Sequence, residues 1–258
     1  MIKPFSPCNR CSQKNGKIPD GYFYKTIVEN GHSYTVVEEC RDHKVWRKNK
    51  EIYDLYVNNG FQEKDFYYDI DTYIGKKSIN NIQRLKTYIN KIKDIQVRSS
   101  ILYLYGIPGT QKTTVAQWLG KEIIKAGFSC SYFYMKKLID YLFEAPNNED
   151  KMFWVKKVIN DDVVIIDESF SKNKISSLWG DSKYNIGNLG EFIRNKVSAN
   201  KGIIFISNDS PAKLLEDKFD LPIIDIILRE TTKKNSVFEF QDNYISTLNE
   251  NNIPEVLF

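Results

Sequence analysis

The sequence predicts an α/β protein in which a parallel sheet carries helices on both faces and is preceded by a small β domain. Three observations support this fold class. Strand-like and helical segments alternate from residue 78 onward, which is typical of a parallel sheet with crossover helices. Residues 163–166 and 203–206 are entirely apolar, as expected of central strands that are buried on both faces. Residues 1–48 instead hold two β-rich runs, three of the four cysteines and both histidines.

The composition indicates a folded protein with one sizeable core. The chain has 258 residues, of which 41% are hydrophobic and 27% charged, so one α/β domain with a small appendage is expected rather than disorder. The net charge of +4 permits contact with nucleic acid but does not imply it. No apolar run approaches the roughly 20 residues of a membrane span. The N-terminus lacks the apolar core of a signal peptide, so we expect a cytoplasmic protein.

The spacing of three cysteines and one histidine in the N-terminal region favours a zinc-binding site. Cys8 and Cys11 form one C-x₂-C pair, and Cys40 and His43 form a C-x₂-H pair after the second β-rich run. Two such pairs at the base of a hairpin can supply the four ligands of a tetrahedral Zn²⁺ ion. A small module with few apolar residues also needs such a staple to fold. His32, in the turn between the two runs, remains an alternative fourth ligand.

The sequence divides into three parts. Residues 1–48 are the zinc-ribbon-like domain, residues 49–77 have no clear period and are predicted to be a linker, and residues 78–258 form the main domain. Ser78 is expected to cap a helix whose apolar residues fall on one face. Further elements should alternate, with strands at 101–105, 129–134, 163–168, 202–208 and 236–240, and helices at 136–143, 147–159, 187–199, from 210 and at 222–229.

One segment has the layout of a phosphate-binding loop, with a strand before it and a helix after it. It consists of Gly106, Ile107, Pro108, Gly109, Thr110, Gln111, Lys112, Thr113 and Thr114. Its N–H groups would wrap the phosphates, Lys112 would reach the β- and γ-phosphates, and the Thr113 hydroxyl would ligate Mg²⁺. Gln111 stands where the pattern G-x-x-x-x-G-K-[ST] expects glycine. A side chain there costs about 1–2 kcal/mol if the backbone is left-handed.

Two further strand ends supply the groups that nucleotide hydrolysis needs. Asp167 and Glu168 end the first apolar strand, and Asn208 follows the second. Asp167 is placed to hold Mg²⁺, and Glu168 to orient or deprotonate the attacking water. Asn208 is placed to hold that water or to sense the γ-phosphate. Because an open α/β sheet binds ligands beyond the carboxyl ends of its strands, the sequence predicts an ATP and Mg²⁺ site at this edge.

These motifs carry a family resemblance over residues 79–240. The loop resembles the Gly-x-Pro-Gly-Thr-Gly-Lys-Thr loop of AAA+ ATPases, a group of P-loop NTPases. The Ile-Ile-Asp-Glu and Ile-Ser-Asn strand ends resemble the Walker B and sensor 1 motifs of the DnaC/DnaI helicase loaders, which are similar to the IstB transposition ATPases. The resemblance implies an arginine finger that completes the site of a neighbouring subunit, with Arg229 the best match and Lys196 and Arg194 weaker ones. It also implies that the N-terminal domain contacts the helicase.

The resemblance implies an ATPase that loads or remodels a replicative hexameric helicase on single-stranded DNA in a bacterial or phage-infected cell. Because Gln111 replaces a loop glycine, we expect nucleotide binding to be retained and hydrolysis to be slow, so that ATP acts as a switch. Two alternatives stay open. One is an IstB-like transposition ATPase that acts on duplex DNA, and the other is a non-hydrolysing adaptor that binds through its zinc ribbon. Tyr132, Tyr134, Lys136 and Lys137 are candidate DNA contacts, although core packing is the more usual role of the two tyrosines.

Overall fold

The computed structural model describes residues 22–73, 75–170, 183–216 and 221–242. The chain divides into two compact units, Met1–Leu55 and Tyr56–Phe258. The first unit contains an antiparallel hairpin of β1 (Tyr22–Glu29) and β2 (His32–Glu39). Asn30 and Gly31 join the strands with φ of 54° and 80°, the signs required at the two central positions of a type I′ turn. The predicted pair of β-rich runs and their turn are therefore present.

The predicted linker is structured along most of its length. Helix α1 (Arg41–Asn58) runs into it, and 3₁₀ turns follow at Glu63–Asp65 and Ile70–Thr72. From Tyr56 onward, buried apolar side chains hold this stretch within the second unit, and Phe61 stacks on Tyr56 with ring centroids 4.5 Å apart. The boundary between the units therefore lies at residues 55 and 56. The apolar residues of the segment after α1 lie in turns, so their spacing follows neither a helix nor a strand period. For this reason the sequence suggested a linker.

The second unit is built on a five-stranded parallel sheet. Its strands are β3 (Ile101–Tyr105), β4 (Cys130–Tyr134), β5 (Val163–Asp167), β6 (Gly202–Ser207) and β7 (Val237–Glu239). Their order across the sheet is β4-β5-β6-β3-β7, and each neighbouring pair is parallel. Every residue of β5 and β6 is buried, which explains their apolar sequences. The predicted parallel sheet is confirmed.

Helices alternate with these strands, as the sequence predicts. They are α2 (Ile79–Asn90), α3 (Ile95–Arg98), α4 (Lys112–Lys125), α5 (Met135–Glu144), α6 (Glu149–Asn160), α7 (Lys183–Ser198), α8 (Pro211–Glu216) and α9 (Leu221–Lys234). A 3₁₀ turn, Ala145–Asn147, joins α5 to α6. Within the described ranges, no helix combines the length and the apolar composition needed to cross a membrane.

The start of α2 differs in one detail from the predicted cap. Ser78 occupies the N-cap position, but its hydroxyl makes no capping hydrogen bond to α2. It accepts instead from the Gln241 N–H at 3.1 Å. The Asp242 carboxylate in turn accepts from the N–H groups of Lys77 and Ser78 at 2.9 and 2.8 Å. The prediction of a local cap was wrong because a long-range contact, invisible in the local sequence, takes the serine hydroxyl.

The parallel sheet brings the predicted site residues to one edge. The strands β3, β5 and β6 are neighbours and point the same way. Their carboxyl ends lead into the phosphate loop, Asp167 and Asn208 respectively. Ligands of open α/β sheets bind at this edge, so the topology sets the location of the site described below.

Candidate functional site

The phosphate loop closes tightly against the end of the sheet. Gly106 has φ 151°, and a Cβ added there would lie 2.1 Å from the carbonyl oxygen of Phe240, so only glycine fits. The Lys112 ammonium donates to the carbonyl oxygens of Gly106 and Ile107 at 2.6 and 2.8 Å and to the Thr110 hydroxyl at 3.1 Å. The lysine thus folds back along its own loop, and its charge is held at the floor of the loop.

Gln111 adopts the conformation that makes glycine the usual choice at its position. Its φ is 62° and its ψ 14°, which is the left-handed region. A side chain in this region is strained, because its Cβ comes too close to the neighbouring carbonyl oxygen. Gln111 also lines the cavity beside the loop. The departure from the usual motif therefore has two consequences: a strained backbone and a glutamine side chain at a position that lines the cavity.

The helix after the loop and the end of β5 bring two oxygen ligands together. The Thr113 hydroxyl donates to Asp167 Oδ2 at 2.9 Å, and the Glu168 N–H donates to Asp167 Oδ1 at 2.6 Å. Mg²⁺ prefers hard oxygen ligands and is usually bound through one or two carboxylates, water and phosphate. A hydroxyl and a carboxylate in contact at the mouth of a phosphate loop fit this ion, and Thr113 and Asp167 are the residues that would hold it.

The loop and the two strand ends enclose one cavity of about 350 Å³. Its described lining comes from the phosphate loop, the end of β5 and the end of β6, and consists of Pro108, Gly109, Thr110, Gln111, Lys112, Thr113, Asp167, Glu168, Ile206, Ser207 and Asn208. Glu168 and Asn208 are exposed, so their polar groups can meet a ligand. Most residues predicted from the phosphate loop and both strand ends therefore line this cavity, whereas Gly106, Ile107 and Thr114 are not part of its described lining.

Burial affects the charge of the lysine in this site. Desolvation lowers the pKa of Lys112 to about 8, although the charge of Asp167 acts in the opposite direction. The physical cause is that burial removes water from around the ammonium, which disfavours its charged form. A phosphate placed on the loop would supply the negative charge that favours the protonated lysine.

The arginine candidates lie apart from this cavity. Arg229 is on α9, its side chain is 52% exposed, and its Nε lies 3.5 Å from Glu230 Oε1. It is not among the described residues that line the cavity of its own chain. Lys196, a weaker candidate, is fully buried and donates to the carbonyl oxygens of Val158 and Asp161 at 3.1 and 2.6 Å. Lys196 therefore has a structural role, because its ammonium cannot reach a second subunit.

Tyr132 contacts Asp167 of the candidate site, and the sequence motifs did not predict this contact. It is buried, and its hydroxyl donates to Asp167 Oδ2. Burial raises the pKa of Tyr132, and the negative charge of Asp167 raises it further. The phenol therefore remains a protonated donor. Tyr134 is instead 40% exposed and its hydroxyl accepts from Gln62 Nε2 at 3.1 Å. Of the two tyrosines suggested as DNA contacts, only Tyr134 is accessible.

Half of the predicted zinc ligands lie outside the described residues. Cys8 and Cys11 belong to that part of the chain. Cys40 is buried directly before α1, and its carbonyl oxygen accepts from the Lys44 N–H at 2.9 Å. His43 follows in the first turn of that helix. Within the described ranges, no three histidine, cysteine or acidic side chains are grouped closely enough to hold a metal ion. The zinc site stays a prediction.

Comparison with known proteins identifies the family. The sequence profile of the family described as "IstB-like ATP binding protein" matches residues 35–174, more than half of the chain. The chain belongs to this family. The matched part of the IstB-like chain includes the phosphate loop, Asp167 and Glu168, while Asn208 and Arg229 follow it. The sequence matches none of the curated proteins with which it was compared.

Solved structures show the same fold in replication proteins. The IstB-like chain superposes on the DnaC helicase loader with a TM-score of 0.56 and 17% identity, covering 69% of this chain and 99% of that one. For DnaI the TM-score is 0.52 and the identity 14%, covering 70% and 94%. For DnaA bound to AMPPCP and single-stranded DNA they are 0.54 and 16%, covering 73% of this chain but only 56% of DnaA. The predicted AAA+ fold is confirmed.

Proposed function

We propose that this IstB-like ATP-binding protein slowly hydrolyses ATP and uses the bound nucleotide as a switch to load or remodel a replicative hexameric helicase on single-stranded DNA. The observation that carries the proposal is the contact of 2.9 Å between the Thr113 hydroxyl and Asp167 Oδ2 at the mouth of the phosphate loop. It joins an ion-binding pair to a lysine and a second acid around one cavity. If Asp167 and Glu168 were only polar residues at a solvent-exposed strand end, nothing would require them to lie beside Thr113 and Lys112.

Each residue of the cavity has a role in hydrolysis. Lys112 and the loop N–H groups bind the phosphates. Thr113 and Asp167 would hold Mg²⁺, which when bound neutralises charge on the β- and γ-phosphates. Glu168, at the rim, takes a proton from water as its oxygen attacks the γ-phosphorus, and the bond from that phosphorus to the ADP oxygen breaks. Asn208 orients the same water from the neighbouring strand.

Gln111 makes the turnover slow. Its left-handed backbone resists the adjustments of the loop around the transferring phosphate, and its side chain competes for space in the cavity. The retained Lys112, Thr113, Asp167 and Glu168 argue that nucleotide binding survives this substitution. A slow ATPase of this kind suits a switch better than a motor.

Arg229 acts in this proposal on the site of a neighbouring subunit. Its side chain is half exposed on α9, so it is available to another chain, whereas Lys196 is not. Helix α9 continues five residues beyond Arg229, to Lys234. Arg229 is therefore not in the last turn, where attraction to the helix dipole would by itself explain a basic residue. An arginine supplied to a phosphoryl-transfer site raises kcat by about 10³–10⁵. Self-association through the ATP site follows from this role.

The N-terminal unit is proposed to bind Zn²⁺ through Cys8, Cys11, Cys40 and His43 and to contact the helicase. The hairpin geometry supports His43 over His32. His32 pairs with Glu29 beside the turn, whereas Cys40 follows the other end of β2. Seven to eight strand residues, or about 25 Å, separate them along the strand. His43 lies three residues after Cys40 in a helical turn, where side chains share a face.

The test compares partners and turnover in one set of samples. Wild-type chain, Glu168→Gln and Arg229→Ala are mixed with a hexameric replicative helicase, single-stranded DNA and ATP or ADP. We expect helicase binding that depends on ATP, and hydrolysis that both substitutions abolish while nucleotide binding persists. Arg194→Ala tests the weaker finger candidate, an exposed arginine on α7, in the same assay. We expect this variant to hydrolyse like the wild type, which would assign the finger role to Arg229.

Two outcomes would replace the proposal. The family match supports a second candidate, a transposition ATPase, and binding to duplex DNA and a transposase but not to a helicase would favour it. Helicase binding that is identical with ATP, with ADP and without nucleotide, together with no turnover in any variant, would favour the zinc-ribbon adaptor. Zinc is measured on the same wild-type protein, and Cys40→Ser should reduce the bound metal.

A further inference from the structure

The register of the sheet brings the Tyr132 side chain to the end of the neighbouring strand. Tyr134 is the partner of Asp167 in the β4–β5 ladder. Side chains alternate between the faces of a strand, so Tyr132, two residues earlier, shares the face of Tyr134 and Asp167. A phenol lying along the strand covers the roughly 6.6 Å rise of two residues. The Tyr132 hydroxyl accordingly donates to Asp167 Oδ2.

Three hydrogen bonds then fix the Asp167 carboxylate. Oδ2 accepts from the hydroxyls of Tyr132 and Thr113, and Oδ1 accepts from the Glu168 N–H. Thr113 approaches from helix α4 and Tyr132 from the edge strand β4. The orientation of the carboxylate is thus set from two sides, and one of them is a residue with no direct place in the phosphate loop.

Tyr132 is held firmly enough to transmit this orientation. Its side chain is almost fully buried, and its ring lies 5.6 Å from the rings of both Phe61 and Tyr134. Gln117, buried on α4, opposes the upward shift of the Tyr132 pKa. Its own Oε1 accepts from the Tyr56 hydroxyl at 2.8 Å, which fixes the amide.

We propose that Tyr132 is a positioning residue for the magnesium site: it holds the Asp167 carboxylate in the orientation in which, together with Thr113, it binds the ion. The proposal rests on the proposed ATP-binding and ATP-hydrolysing function. Tyr132 is not among the described residues that line the phosphate cavity. Removing its hydroxyl should therefore weaken the binding of Mg²⁺ at the site and leave magnesium-free nucleotide binding intact.

The experiment measures nucleotide binding by the full chain as a function of Mg²⁺. A fluorescent ADP is bound in EDTA and then in rising Mg²⁺, with wild type, Tyr132→Phe and Tyr134→Phe. Tyr134→Phe is the matched control, because it removes a hydroxyl two residues away that bonds Gln62 and not Asp167. We expect the half-saturating Mg²⁺ concentration to rise about 10-fold in Tyr132→Phe. Affinity in EDTA should be equal in all three proteins.

Further arms separate positioning from general stability. The Tyr132→Phe change should no longer alter magnesium dependence in an Asp167→Asn background, because the group that it orients has lost its charge. An unchanged magnesium dependence in Tyr132→Phe would overturn the proposal, and so would an equal loss of affinity with and without Mg²⁺, which indicates a structural role. If the wild type bound no nucleotide under any condition, the proposed function itself would fail and the positioning role with it.

Discussion

Replacing Gln111 with glycine should speed ATP hydrolysis and slightly stabilise the protein. The left-handed backbone at φ 62° costs a residue with a Cβ about 1–2 kcal/mol. Glycine removes this cost but loses about 0.5–1 kcal/mol through its greater freedom in the unfolded chain. The net gain in free energy of unfolding is about 0–1.5 kcal/mol. For a unit of this size each kcal/mol of gain raises Tm by roughly 2–4 °C.

The same strain sets the expected change in rate. If closing the loop around the transferring phosphate requires Gln111 to move further from its resting geometry, relief of about 1 kcal/mol raises kcat roughly fivefold. Steady-state phosphate release at saturating ATP measures kcat, and a thermal melt without nucleotide measures Tm. Gln111→Ala is the informative companion, because it removes the carboxamide from the cavity but keeps the Cβ and its strain.

A second left-handed residue controls for stability alone. Asn235 has φ 48° and lies at the end of α9, away from the phosphate cavity, so Asn235→Gly should not change kcat. The reasoning is refuted if Gln111→Gly raises Tm but leaves kcat unchanged or lower, since strain relief would then have no effect on turnover. If Gln111→Ala matches the full gain of the glycine variant, the carboxamide and not the backbone slows the enzyme.

Two further predictions concern Lys112 and the helix behind it. Because burial lowers the pKa of Lys112 to about 8, binding of an anionic nucleotide should take up a proton above that pH, and affinity should fall as pH rises through 8. Calorimetry at pH 8.5 in two buffers of different ionisation enthalpy measures this uptake, and identical heats would contradict it. Gly120→Ala should destabilise by about 1–3 kcal/mol, because its Cβ would lie 2.0 Å from the Phe61 ring. Gly187→Ala, which meets open space, should be neutral or stabilising in the same urea titration, and equal effects would contradict the overpacking argument.

Most of the sheet could be predicted because its signals are local. Runs such as residues 163–166 and 203–206 are apolar at every position, and only a strand buried on both faces requires this. Strand and helix boundaries followed from glycine, proline and periodicity. The segment over 56–73 could not be predicted in this way. Its buried aromatic residues sit in turns, so their spacing reflects the shape of the surface that they cover and not a regular period.

The grouping of the candidate site residues was also predictable where it depends on motif spacing. Lys112, Thr113, Asp167, Glu168 and Asn208 lie around one cavity, because parallel strands deliver their carboxyl ends to one edge. Gln111 has a left-handed backbone, which explains why the usual motif has glycine at this position. Arg229 stays a prediction, because one chain contains no neighbouring subunit for it to reach.

Tyr132 shows what motif reasoning cannot supply. In the sequence it is one of several aromatic residues on an apolar strand, and core packing is the usual outcome for such a residue. Its contact with Asp167 depends on β4 being the neighbour of β5 and on the pairing of Tyr134 with Asp167. A shift of one residue in that register would turn its side chain to the other face. The positioning of the carboxylate is therefore encoded in strand order and register, which become visible only when the sheet is assembled.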